Sequence, residues 1–479
     1  MSLVVAAPFV YLVQAVVRRW VNVPFNDDWD FYWIVKAQHD GRLDFAAFYA
    51  QHNEHRILWP NLVMFALASI SNWDIRLQLA FSLFVAALTF VLLALMIRHT
   101  MTGPDGTGRE RGLHWWQFTA MFLTSVIVFA PTAVQNWLWG WQIEWFMSVA
   151  GIVLAVWALG SWRTAQPWKQ VLVAVLGATL ATFSLGGGML VWIAGLPLFA
   201  FARRLWRWSL VWVAAAAIEI KLYYTDYFDM GGESPLHVIV TQPVGLARYG
   251  AVYLTRVLMG PFDQHRSNVL ALGLVLLLMV SVGYVLLRHR SQFVTLVPWL
   301  CLGLVAIGSA VVTGAARLVY GYHQAFSSRY TTISLLFVVA ILVISTKAAQ
   351  LAWTPAPSDQ ADAPEPGADA EPAPAGAGVA MAVATAVPVK ARPSVVTRTA
   401  QVVPALGILT MMLAYAQCHG AVMRDMDGFS SYQHRAQDCA RTASSPADGC
   451  LLLLYPVQDM AWERLEFMRS IGWVVPRSR

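Results

Sequence analysis

The chain has 479 residues, is 58% hydrophobic and 13% charged, and has a mean hydropathy of +0.53. Soluble domains carry roughly 25% charged residues, so this composition excludes an ordinary soluble protein and points to an all-α polytopic membrane protein. The net charge of +6 does not indicate nucleic acid, because the basic residues form short clusters between apolar stretches and no continuous basic face.

In chain order, eleven apolar stretches read as spans, most of them near the roughly 20 residues that cross a bilayer. They are 3–19, 76–97, 115–131, 143–160, 169–184, 188–202, 207–224, 268–287, 293–312, 331–347 and 399–417. The first has no basic n-region and no small-residue cleavage site, so it reads as a span and not as a removable signal. The 22 Trp suit a membrane protein, whose interfaces favour indole rings.

The connections are of two kinds. Basic ones carry Arg98, Arg109 and Arg111; Arg163 and Lys169; Arg203, Arg204 and Arg207; Arg288 and Arg290; and Lys347, Lys390, Arg392 and Arg398. Aromatic and polar ones are 21–75, 132–142, 225–267 and 313–330. Placing the basic set in the cytoplasm puts the N-terminus inside and the C-terminus outside. Arg18 and Arg19 run against that rule. The segment 57–70, "ILWPNLVMFALASI", is short for a span and precedes polar "SNWD", so it is expected to lie at the outer interface.

The expected organisation is a transmembrane domain over 1–348, with a first outer loop at 21–75. A disordered Pro/Ala-rich cytoplasmic linker follows at 349–398, then a last transmembrane helix at 399–417. Residues 418–479 form a small extracytoplasmic C-terminal domain. There Cys439 and Cys450 are close enough in sequence to pair, although sequence alone does not fix the pairing with Cys418. No CxxC spacing suggests a metal set.

The chemistry gathers in the outer loops. "NDDWDFYWIVKAQHDG" places Asp27, Asp28 and Asp30 within four residues. Asn26 or Asp27 can cap a helix over 28–40 that Gly41 ends, which accounts for one or two acids. Crowded carboxylates repel, and one with a raised pKa suits general-base work; Asp27 and Asp28 are the candidates, and Asp30 is assigned a structural role. The same acids, joined by Asp226 or Glu233, could hold Mg or Mn through oxygen ligands. In "QHNEHR", the residues His52, Glu54, His55 and Arg56 lack zinc-hydrolase spacing and read as substrate contacts. "QNWLWGWQIEWF" mixes tryptophans with amides and ends on Glu144, an acid at the start of a span. The tryptophans individually read as an interfacial belt. "SLGGGMLVW" reads as a tight turn between helices. "GYHQAFSSRY" offers His323 and Arg329, and Arg is a bidentate phosphate ligand; Arg317 stands just before it.

The N-terminal third resembles the GT-C superfamily of membrane glycosyltransferases, in its protein O-mannosyltransferase and aminoarabinose-transferase branch. In that branch an outer loop with D-E-x-x-Y follows the first span, then an interfacial helix, then N-E-x-x-x-R at the start of the second span. The counterparts are "DDWDF", "ILWPNLVMFALASI" and "SNWDIRLQLAFSLF" with Asn72 and Arg76. The family's Glu is Asp28 here, and its Lys-Pro-Pro is replaced by "HNEHRILWP". About 100 residues carry the match.

The resemblance implies a transferase whose base is Asp27, with Asp28 as the alternative. It would move a sugar from a polyprenyl-phosphate carrier to an extracytoplasmic glycan, lipid or protein by one inverting displacement. His52, Glu54, His55, Arg56, Glu144, Arg317, His323 and Arg329 would form the substrate site. The expected location is a bacterial-type inner or plasma membrane. The competing readings are an envelope polysaccharide polymerase or ligase that uses a lipid-pyrophosphate donor, and a flippase of lipid-linked sugar. Flippases often show internal repeats and midplane charges, whereas this chain shows no repeat and its acids cluster in the outer loops.

Overall fold

The computed structural model describes residues 2–102, 111–202, 204–228, 231, 234–260, 264–353 and 395–473, with side chains described from 115 onward in the helix that begins at Arg111. These residues are nearly all helical. One sheet occurs among them, a hairpin pairing Gln51–His52 antiparallel with His55–Arg56. Most of the expected linker, 354–394, lies outside the described residues, as do Arg109, Arg203 and Glu233.

Among the described residues six helices are long and apolar enough to cross a membrane: Ile75–Thr102, Gly140–Gly160, Gln264–Arg288, Val297–Tyr320, Ser328–Trp353 and Val395–Thr442. The other five expected spans fall on shorter or interrupted helices: Ser2–Val17, Trp115–Val128, Pro167–Thr182, the broken Gly186–Phe201 and Ser209–Tyr224. The expected count of eleven is therefore not reached on length and composition.

Packing follows from sequence. The run "TTISLLFVVAILVIS" is apolar on every side, and its helix, Thr331–Trp353, is enclosed by the others. Small residues let the helices Ile143–Gly160 and Pro167–Thr182 meet closely. A Cβ on Gly151 would lie 2.5 Å from the Gly177 carbonyl oxygen.

Among the described residues the basic connections and the aromatic, polar ones gather at opposite ends of the bundle. At one end Arg163 Nε donates to His99 Nε2 at 3.2 Å, Arg204 donates to the Thr164 carbonyl and Lys347 Nζ donates to the Met101 carbonyl. At the other end the first loop meets residues 139–141, 179–186, 222–228, 317 and 437–467. The expected site residues belong to this loop-bearing end.

The first loop departs from the expected 28–40 helix at its start. Residues Asn26–Phe31 form a tighter 3-10 turn, and the α-helix is Tyr32–His39, followed by Gly41 at φ +66°. No side chain caps that helix. Asp28 Oδ2 instead reaches back to accept the Phe25 N–H at 2.9 Å, and Asn26 turns the chain at φ +50°, which Asn tolerates better than most residues. The 57–70 segment forms one helix, Leu58–Ser71. Its Trp59 N–H donates to the Phe183 carbonyl, and Asn72 ends it at φ +53°.

The helix Val395–Thr442 has 48 residues. At 1.5 Å per residue it is about 70 Å long, more than twice the roughly 30 Å hydrocarbon core. The boundary expected at 417/418 falls inside this unbroken helix. Beyond it the chain turns back, Cys439 bonds to Cys450, and a last helix, Gln458–Ser470, returns to the first loop. Cys418 and Cys301 are free and buried.

Candidate functional site

The three clustered acids have different fates. Asp28 is buried, and its Oδ2 is spent on the Phe25 N–H. Its Oδ1 lies under Gly140, where an added Cβ would approach to 3.3 Å, and has no hydrogen-bond partner. Burial pushes this carboxyl well above the usual range, against the lowering effect of the Phe25 N–H bond. Asp30 is tied on both oxygens. Tyr455 and Arg464 donate to Oδ1 at 2.8 and 2.6 Å, and His52 Nε2 stands 3.0 Å from Oδ2. Burial alone would raise Asp30, but these hydrogen bonds, led by His52, hold it below the usual value.

Asp27 is half-buried, and no hydrogen bond among the described residues holds its carboxylate. Burial lifts it above the ordinary value; the charges of His52 and Arg329 counter the lift, and that of Asp30 adds to it. The buried Glu144, in the first turn of Ile143–Gly160, is close enough to interact with the charges of both Asp27 and Arg329.

Packing fixes the surroundings of these groups. Arg329 lies on the 3-10 turn Ser328–Tyr330, which is fastened to the short helix Val134–Leu138. There Asn136 donates to the Arg329 carbonyl at 2.9 Å, and Ser328 Oγ accepts the Gln135 N–H at 3.1 Å. The Arg329 guanidinium faces the Trp139 ring at 5.7 Å, and the His52 ring packs on Trp141 at 4.7 Å. Trp137, Trp139, Trp141 and Trp145 are all buried. Trp139 and Trp141 pack against the site, and the burial of all four inside the bundle departs from the expected interfacial belt.

The hairpin next to this group carries the other candidates. Glu54 Oε1 accepts from Arg317 Nη2 at 2.7 Å, each side chain about one-third exposed. His55 Nδ1 is buried without a partner beneath Gly186, where a Cβ would lie only 2.9 Å away. Burial pushes this imidazole down to about 4, so it is neutral near pH 7. The Gly186–Gly188 stretch serves close packing: a Cβ on Gly188 would lie 2.1 Å from the Ala181 carbonyl oxygen.

Arg56 corrects an expectation. Its guanidinium is buried and its donors are spent on backbone carbonyls, Nε to Tyr223 at 2.7 Å, Nη1 to Tyr49 at 3.0 Å and Nη2 to Thr225 at 2.5 Å. It clasps the hairpin to the end of helix Ser209–Tyr224 and does not reach into the site. His323 lies exposed on the 3-10 turn Tyr322–Phe326.

The expected metal set is also rearranged. Among the described residues the three side chains able to share one cation are Asp27, Asp30 and His52, with ligand atoms within 4.8 Å of one another. Asp28 turns away for its backbone bond. Asp226 is exposed, at φ +51° in the segment after Tyr224. Glu233 lies outside the described residues.

Sequence reasoning missed four groups. Tyr455 and Arg464 stand more than 400 positions from Asp30, and nothing local signals the contact. Tyr249 and Tyr253, one turn apart on helix Pro243–Thr255, share a buried face. Tyr253 pairs with Ser309 Oγ at 2.8 Å and stacks on Tyr330 at 5.0 Å, and the buried Tyr249 hydroxyl has no partner. Their i,i+4 spacing was the available signal. No family model, curated protein or solved structure matches the chain.

Proposed function

We propose that this chain is an integral membrane glycosyltransferase. It moves a sugar from a polyprenyl-phosphate carrier to an extracytoplasmic glycan, lipid or protein by a single inverting displacement. The observation that carries this reading is the division among the acids of "NDDWD". Asp28 and Asp30 are committed to the fold, while Asp27 stands without a hydrogen bond between His52, Arg329 and Glu144.

A base must be ionised yet proton-hungry, and partial burial opposed by the nearby Arg329 guanidinium gives Asp27 that balance. The Asp27 carboxylate takes the acceptor's O–H proton. The freed oxygen attacks the anomeric carbon from the face opposite the phosphate. The carbon–oxygen bond to phosphate breaks, and polyprenyl phosphate leaves with the electron pair. Arg329 and Arg317 supply positive charge for the leaving group, and buried tryptophans beside polar groups suit a sugar ring with apolar faces and hydroxyl edges. A divalent cation bound here would be held by Asp27, Asp30 and His52, and the cation would supply Lewis acidity.

In this reading the eleven apolar helices cross a bacterial-type inner or plasma membrane, the shorter ones included. The basic end of the bundle is cytoplasmic, and the site and C-terminus are outside, where a lipid carrier replaces nucleotide sugars. The test is sugar transfer in membranes supplied with polyprenyl-phosphate sugars. Asp27→Asn should abolish transfer, whereas Asp28→Asn should retain it, because the Asp28 carboxyl is committed to the Phe25 N–H and an amide oxygen can accept the same bond.

A further inference from the structure

The segment beyond the long helix is not an appendage. The Asn26 N–H donates to the Leu454 carbonyl at 2.7 Å, Gln437 donates to the Asn22 carbonyl at 2.9 Å, and Tyr32 donates to Glu463 at 3.0 Å. Phe467 meets the Tyr32 ring edge-on at 5.2 Å. These contacts bring two polar side chains from the tail onto one acid of the first loop.

We propose that Tyr455 and Arg464 are positioning residues of the site: from the C-terminal segment they fix Asp30, and through it they hold His52 beside Asp27. The geometry is a chain of direct contacts. Arg464 is buried, lies over the Tyr455 ring at 4.3 Å and donates to Asp30 Oδ1 at 2.6 Å; Tyr455 donates to the same oxygen at 2.8 Å. With Oδ1 taken from one side, the other carboxylate oxygen is aimed at His52 Nε2, 3.0 Å away. Trp141 packs on the His52 ring, and the Asn53 amide lies 3.4 Å from Nδ1, so the short Asp30 bond at Nε2 is the closest polar contact that holds the imidazole. A buried Arg has no water to substitute for Asp30, and a carboxylate fixed by two donors has little freedom to rotate.

The Arg464–Asp30 contact serves more than tail attachment. Tyr32–Glu463, Asn26–Leu454 and the Cys439–Cys450 bond already anchor the segment. The inference rests on Asp27 being the working acid. Its test reads no sugar transfer, so its failure and a failure of the transferase reading are told apart.

The experiment is carbethoxylation of His52 by diethyl pyrocarbonate in the full chain in lipid nanodiscs, followed by peptide mass spectrometry. A His52 nitrogen engaged by Asp30 reacts slowly. Arg464→Gln should raise the His52 rate roughly fivefold or more, and Tyr455→Phe by a smaller factor, as expected for loss of one hydrogen bond. Arg464→Lys, which keeps the charge, should restore most of the slow rate. In an Asp30→Asn background, Arg464→Gln should give no further increase, because Arg464 acts on His52 only through that carboxylate. An unchanged His52 rate in Arg464→Gln, with the disulfide still formed, overturns the proposal, and so does an equal rise at the remote His99 and His237. If Arg464→Gln unfolds the tail, Tyr455→Phe decides alone, and an unchanged His52 rate there also overturns it.

Discussion

Replacing Arg56 by Ala removes the clasp between the His52–His55 hairpin and the end of helix Ser209–Tyr224. Three carbonyls lose a charged donor. Hydrogen bonds to charged groups are worth roughly 1.5–3 kcal/mol each, but the three share one guanidinium and are not additive. Thr225 is exposed and Tyr49 partly so, and water can reach those carbonyls; Tyr223 is fully buried and its carbonyl has no replacement. The Arg56 stack on the Tyr49 ring at 4.7 Å adds about 0.5–1 kcal/mol. Together these give a loss of about 3–4 kcal/mol. Arg56→Lys should cost roughly half as much, because an ammonium can serve one or two of the carbonyls but cannot match the planar fork. The assay is thermal unfolding in nanodiscs with limited proteolysis of the hairpin. A wild-type melting curve for Arg56→Ala, combined with lost binding of a polyprenyl-phosphate sugar, would refute the clasp and return Arg56 to the substrate site.

Other consequences follow from the same geometry. Gly188→Ala forces a Cβ to 2.1 Å from a backbone oxygen and should cost roughly 1–3 kcal/mol, measured by the same unfolding assay. For His55, a folded-state value pushed from 6.5 down to about 4 means that the unfolded chain binds more protons between those two values. Stability contributed by neutral His55 is therefore full above pH 6.5 and is lost as pH falls toward 4. At roughly 1.4 kcal/mol per pH unit the loss is on the order of 3 kcal/mol, and His55→Gln should flatten the melting profile across that window. Cys439→Ser opens a loop closed across a sequence separation of 11, which a chain-entropy argument values at about 3 kcal/mol. Proteolysis at 443–457 should increase, while the transmembrane helices stay intact.

The helical character of the molecule and the separation of its two kinds of connection were legible from hydropathy and charge. The 57–70 helix was legible from its short apolar run. The length of Val395–Thr442 was missed although Cys418, Val422, Met426, Phe429 and Ala436 recur at helical spacing in "CHGAVMRDMDGFSSYQHRAQD", because the polar and charged residues between them hid that stripe from a search for apolar spans. In the site, Asp27 stood out only as one of three adjacent acids. What separated them was which backbone N–H or distant Arg each one met, and those contacts are set by packing. Arg56 misled for the same reason: a guanidinium that serves three carbonyls and one that awaits a phosphate look identical in a sequence. Arg464 was unreadable because its partner lies 434 positions away.

The most direct measurement is sugar transfer by purified Asp27→Asn and Asp28→Asn proteins in nanodiscs containing polyprenyl-phosphate sugars and native envelope acceptors, with product detected by mass spectrometry. Loss of a general base typically costs about 10²–10⁴-fold, and the account predicts that loss for Asp27→Asn, with Asp28→Asn within a few-fold of wild type. Full transfer by Asp27→Asn would contradict the account.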